Sequence, residues 1–215
     1  MRNLLYKEFR LSIHPTMFIF LSFGALLLIP SWPFFIAFGY LFIAVTNTFF
    51  LCRSNQDVFF TASLPVRKRD IVLARVYSLT ILELLQIAAA VPFALLRGVL
   101  YPHGNEAGMN TNFAFFGFVF VMYALFNAIF LPGFYKTAYK VGVPLFLAVL
   151  AAVVFAGAVE ALMATVPFLR ENLNAMGAGG MAGQLAVLAA GIGAFALLTT
   201  MAYRLSAKRF EKVDL

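Results

Sequence analysis

The chain of 215 residues is 63% hydrophobic and 12% charged, with a mean hydropathy of +0.91, about half of the roughly 25% charge that a soluble domain carries, so its apolar residues must face lipid. The polar stretches between the apolar runs are each about twenty residues or fewer, short of the roughly 50 that an independent domain needs, so soluble catalytic machinery would belong to another polypeptide. Sixteen Lys and Arg against nine Asp and Glu leave +7, an excess that fits membrane-protein loops and implies no nucleic-acid partner.

Residues 1–14, MRNLLYKEFRLSIH, read as an amphipathic helix on the membrane surface. At 100° per residue Leu5, Phe9 and Ile13 share one face, and Asn3, Lys7, Arg10 and His14 the opposite one. Glu8 sits near the apolar border, and Pro15 marks the bend into the first apolar run.

Spanning about 30 Å of hydrocarbon takes roughly 20 helical residues. Six runs qualify, at about 15–32, 33–52, 72–96, 113–134, 143–168 and 184–205. The first two meet at Pro30, Trp32 and Pro33 with no polar loop, which suggests a tight hairpin at the interface. The expected fold is all-α: a single six-helix membrane domain over 15–215 behind the interfacial helix at 1–14. Arg2, Lys7, Arg10, Arg53, Arg67, Lys68, Arg69, Arg75, Lys136, Lys140, Arg204, Lys208, Arg209 and Lys212 then fall on the side of the termini. Only Arg97 and Arg170 fall on the other, so both termini are predicted to be cytoplasmic in a plasma membrane.

The one sizeable cytoplasmic loop is 53–75, RSNQDVFFTASLPVRKRDIVLAR. Asp57 is placed to cap a short helix. Phe60 and Leu64 would share a face of it, with Phe59 beside them, and Pro65 ends the turn. Arg67, Lys68 and Arg69 form a basic cluster. Aromatic residues at such a loop tip call for an apolar partner, lipid or protein.

Inside the spans, Glu83 and Glu160 are the ionisable groups; a carboxylate there must be protonated, paired or facing water. Thr80, Glu83 and Gln86 form a stripe on one helix face. Asn47, between Thr46 and Thr48, and Asn127 suit interhelical hydrogen bonds or a substrate path. Glu160 and Arg97 lie at comparable depth, so an ion pair is geometrically open. Gly157, Gly191 and Gly193 permit close helix packing. Cys52 is the only cysteine and reads as passive. His14 and His103 lie on opposite sides, so no metal site is expected.

The segment NLLYKEF, the early hairpin and the loop DVFFTASLPVRKRDIVLAR together resemble the ABC-2 class of ABC transporter permeases, over the six-span layout and roughly residues 1–97. The resemblance implies that 1–14 is an elbow helix and that the segment from about Asp57 to Leu64 is a coupling helix docking on a cytoplasmic ATPase. It implies two permease subunits, as a homo- or heterodimer, and two ATPase subunits in a bacterial plasma membrane. No GxxxxGK[ST] occurs, so ATP and Mg would be bound by the partner and this chain would hold no cofactor and perform no catalysis. An outer surface poor in charge and 26 Phe suit export of an amphipathic or hydrophobic substrate. Two other readings fit less closely: a non-transporting membrane scaffold or sensor, and an intramembrane enzyme, which would need convergent reactive groups at one depth.

Overall fold

Hydrocarbon offers a backbone no hydrogen-bond partner, so a chain this apolar must satisfy its peptide groups internally. In the computed structural model, which describes residues 1–175 and 180–213, every regular element is helical. Helix α1 (Arg2–Lys7) continues into a π-helical turn, Glu8–Ser12. Then come α2 (Thr16–Leu21), a 3-10 stretch at Ser22–Leu28, α3 (Phe35–Ser54), α4 (Asp57–Ala62) and α5 (Lys68–Leu100). Helices α6 (Phe113–Phe134), α7 (Gly142–Thr165), α8 (Pro167–Leu173) and α9 (Met181–Phe210) complete the chain.

Five helices, α3, α5, α6, α7 and α9, are long and apolar enough to cross a membrane. The sixth expected span differs. Residues 2–12 and 16–28 form a pair bent by 92°, and the second arm has only thirteen residues. At 1.5 Å per α-helical and about 2.0 Å per 3-10 residue it reaches about 23 Å, less than the hydrocarbon thickness. After Leu28 the chain is extended at Ile29 and turns through Ser31, whose φ is +52°. The expected hairpin at Pro30–Pro33 therefore exists, but its first arm is short and partly 3-10.

The bend follows from local chemistry. Pro15 has no N–H and disfavours helix at the residue before it. The amide of His14 donates instead to Thr48 Oγ1 at 3.1 Å, and Asn47 Nδ2 donates to Thr16 Oγ1 at 3.3 Å. The polar patch of α3 thus fastens the corner.

The broken first segment leaves carbonyls unpaired, and α5 supplies the donors. Gln86 Nε2 donates to Phe20 O at 3.2 Å and Ala37 O at 3.1 Å, while its Oε1 accepts from Tyr123 Oη. Arg97 donates to Leu27 O at 2.8 Å and Ile29 O at 3.0 Å and lies over the Phe34 ring. These bonds settle the surroundings of both residues. Gln86 keeps its place beside Glu83 on the face of α5 turned to α6, where the two meet Tyr123 and Asn127, but Arg97 is not a free charge of the outer loop or a partner of Glu160.

Helix α6 is the hub. Its aromatic residues interlock with α3: Phe42 stacks on Phe126 with centroids 4.2 Å apart, and Phe49 meets Phe130 and Phe134 edge-on at 4.7 Å. Such pairs add about 0.5–1.5 kcal/mol each to area burial. On its other side α6 crosses α9 where Gly117 faces Gly191. Gly157 and Gly193 have open space instead, so the close packing expected of all three glycines holds at Gly191 alone. Helix α7 is the least buried span, with Val143, Phe146, Val153 and Val154 outward, a surface suited to lipid.

At the end remote from the termini, the turn-rich segment before α6 forms an asparagine-bonded cap. Asn110 N and Nδ2 donate to Asn174 Oδ1 and O, both at 2.7 Å, and Asn105 Nδ2 donates to Trp32 O at 2.9 Å. Asn112 caps α6 through the Phe115 amide at 3.0 Å. Of the Gly- and Ala-rich stretch at 169–183, residues 176–179 lie outside the described residues.

The two glycines of α9 give a matched test. A Cβ on Gly191 would lie 2.8 Å from both C and Cα of Gly117, so Gly191→Ala must separate two backbones. Overpacking of this kind costs roughly 1–3 kcal/mol, and the thermal midpoint of the detergent-solubilised protein should fall. Gly193→Ala, with nothing within 4 Å of its Cβ, should leave the midpoint unchanged.

Candidate functional site

Four elements converge at the end that carries both termini, and charge holds them together. Arg75, only 3% exposed, extends from the first turns of α5. Its Nε pairs with Glu8 Oε2, its Nη2 donates to Asp57 Oδ2 at 2.8 Å, and its Nη1 lies 2.9 Å from Cys52 Sγ. Lys7 Nζ reaches Asp57 Oδ1 at 2.7 Å, Thr61 Oγ1 at 2.9 Å and Glu8 Oε1 at 3.2 Å. Two cations and two carboxylates thus form a neutral cluster that ties α1, its π-helical extension, α4 and α5 to the end of α3. The Phe49 ring roofs it, 5.4 Å from the guanidinium carbon.

The cluster revises several expectations. Lys7 points inward to Asp57 and does not join the basic outer face of residues 1–14. Glu8, expected at the apolar border, is among the most buried residues of its helix, because the face it lies on is ionic. Asp57 is the first residue of α4 and its carboxylate is taken by two cations, so it cannot serve as the N-cap. That position falls to Gln56, in a left-handed conformation at φ +50°. Cys52 is buried against Ser12 O and Arg75.

This anchoring decides what α4 presents. With Val58 and Thr61 buried and Asp57 bound, the opposite face points away from the protein. Phe59, Phe60 and Leu64 are 44%, 66% and 42% exposed. Pro65 and the chain around it close the turn, with Val66 N donating to Leu64 O at 2.7 Å. The basic residues that follow divide. Arg67 precedes α5 and is exposed. Lys68 donates to Val213 O at 2.7 Å, and Arg69 pairs with Glu211 at 2.5 Å. That guanidinium holds the Glu211 carboxyl below its usual range. Lys68 and Arg69 therefore fasten the end of α9 to the start of α5.

Deeper in the bundle, Glu83 Oε2 accepts from Asn127 Nδ2 at 3.0 Å, and Thr199 Oγ1 lies 3.5 Å from the same nitrogen. This triad joins α5, α6 and α9, with Glu83 and Asn127 both buried. Thr80 is half-buried and contributes to a separate groove between α5 and α9. Glu160 sits at the far end of α7, where its Oε2 accepts from the Met109 amide at 2.7 Å. Among the described residues no group of three or more His, Cys, Asp or Glu side chains suits a metal ion.

Removing one partner of a buried ion pair leaves a charge without compensation and costs about 3–5 kcal/mol. Arg75→Met should therefore lower the thermal midpoint of the solubilised protein strongly. Combining it with Glu8→Gln should recover part of the loss, read as a coupling energy in a double-mutant cycle. The Glu83 triad is neutral to a different change. Glu83→Gln keeps an acceptor for Asn127, so stability should stay near wild type. Glu83→Leu removes the acceptor and should cost about 1–3 kcal/mol, measured by the same unfolding assay.

The family model described as ABC-2 family transporter protein matches residues 3–211. No curated protein and no solved structure matches the chain. The matched region runs from the first turn of α1 to just past the end of α9, and so includes the bent first segment, the apolar α4 and the long apolar helices. On that extent, the chain belongs to the ABC-2 family of transporter membrane proteins.

Proposed function

We propose that this chain is the permease subunit of an ABC transporter that exports an amphipathic or hydrophobic substrate, driven by a separate cytoplasmic ATPase that binds ATP and Mg. In this reading residues 16–28 make a sixth crossing, both termini are cytoplasmic in a bacterial plasma membrane, and residues 1–12 lie as an elbow along the headgroups. A second permease chain, identical or related, completes the pathway.

The observation that carries the reading is the pairing of an apolar exposed face with an ionic anchor on one short helix. Phe59, Phe60 and Leu64 offer a docking surface. Asp57, on the other side of α4, is tied to Lys7 and Arg75. Movement imposed on the docked face would pass through Asp57 to α5 and to the elbow together. A coupling device needs this: a surface that a partner can push, and a stiff link to the spans that must move. Because the link is buried and charge-paired, small displacements are not absorbed by side-chain rotation.

The reading is tested at Phe60. Its side chain is 66% exposed, so Phe60→Asp should leave membrane levels and thermal stability unchanged. It should abolish association with the ATPase, because a charge would enter an apolar docking surface. Co-purification and ATP-dependent transport are the measurements. Normal binding and transport by Phe60→Asp would remove α4 as the coupling element.

A further inference from the structure

Helices α3 and α7 diverge, and a groove of about 560 Å3 lies between them, within the size range of small-molecule sites. Its walls are apolar: Ile36 and Ile43 from α3, Val149 and Val153 from α7, with Met122 of α6 as the floor. Tyr40 also lines it, its ring braced against Phe23 with centroids 4.9 Å apart. Gly39 and Gly157 both border the space, and a Cβ on either would meet nothing within 4 Å. These glycines leave room; they do not bring backbones together as Gly191 and Gly117 do. From Ile36 to Thr46 the wall runs about 15 Å at 1.5 Å per residue.

One carboxylate belongs to the lining, Glu160, at the end remote from the termini. Its Oε2 is held by the Met109 amide. Its Oε1 is buried and has no hydrogen-bond partner among the described residues. Arg97, the cation at this end of α5, is committed to Leu27 O, Ile29 O and the Phe34 ring. Arg170 borders a different hollow, beside His103 and Glu171. A hydrocarbon-lined trough thus ends at an acceptor that lacks a donor, a costly arrangement in an apolar surround.

We propose that this groove binds a single-chain cationic amphiphile, its ammonium donating to Glu160 Oε1 and its tail lying between Gly39 and Gly157 toward Thr46. Charge selects the class. An anionic amphiphile would set like charges together, and a phospholipid would bring its phosphate against the same carboxylate along with a second chain. The proposal deepens the permease reading by naming a cargo class and rests on it for that role alone, since binding needs no ATPase.

The test uses the full chain in phosphatidylcholine nanodiscs and dodecylamine bearing a photoreactive diazirine on its tail. Labelled peptides should come from α3 and α7, and excess dodecylamine should displace the label where dodecanoate does not. Glu160→Gln keeps an acceptor for the Met109 amide but loses the charge, and apparent affinity should fall about tenfold or more. Gly157→Leu fills the trough while leaving Glu160 in place, and displaceable labelling should vanish at unchanged thermal stability. Undiminished saturable labelling in either variant would overturn the proposal, as would labelling spread over α9 that dodecylamine does not displace. Failure of the Phe60→Asp experiment would instead remove the docking surface and leave the groove standing.

Discussion

Every backbone polar group inside hydrocarbon needs a partner, and the first apolar segment of this protein cannot supply all of its own. Its helix changes from α to 3-10 at Ser22 and ends at Leu28, freeing carbonyls at Leu27 and Ile29 and leaving Phe20 O a second acceptor position. Gln86 and Arg97 of α5 take them up. Much of the remaining architecture depends on this arrangement. Helix α5 must lie against the broken segment along its length, and Gly24 lets it do so, since a Cβ there would lie 2.7 Å from Ala90 Cα. Gln86 extends the same network to α3 and, through Tyr123, to α6. Polar residues that look misplaced in a hydrophobic helix are the donors that a discontinuous neighbour requires.

At 33 residues α5 is about 50 Å long, well beyond the bilayer core. Its overhang at the terminal end carries Lys68, Arg69 and Arg75: the first two bind the residues just after α9, and Arg75 binds the π-helical turn and α4 together. One rigid rod therefore touches the carbonyls of the first segment, the buried carboxamide triad and the ionic cluster. Helix α5 is thus the element in contact with both α4 and the membrane interior.

The apolar character of α4 was legible because it is local: Phe59, Phe60 and Leu64 stand out in a short polar loop, and their exposure follows from that contrast. The inward placement of Glu83 was legible for a similar reason, since depth alone makes a lipid-facing carboxylate costly. The ionic cluster was not legible. Arg75 meets Asp57 across 18 residues and Glu8 across 67, and counting cations by loop treats each as a solvated charge. Lys7 and Asp57 were misplaced by the same assumption, since helical periodicity and capping preference describe an element in isolation, whereas these side chains answer to another element's charge. The length of the first segment escaped because Ile29 continues the apolar run, so composition does not mark that the helix ends at Leu28.

The 3-10 stretch has a geometric consequence of its own. Seven residues wound at three per turn are longer and more tightly coiled than the same residues wound at 3.6 per turn. Rewinding Ser22–Leu28 as α-helix would shorten the segment by about 3.5 Å and unwind it by roughly 140°. That travel lies between the helix shifts of about 1–2 Å and the one-turn steps of about 5.4 Å seen in allosteric transitions. The stretch is held in this form between Gln86, bonded at Phe20, and Arg97, bonded at Leu27 and Ile29.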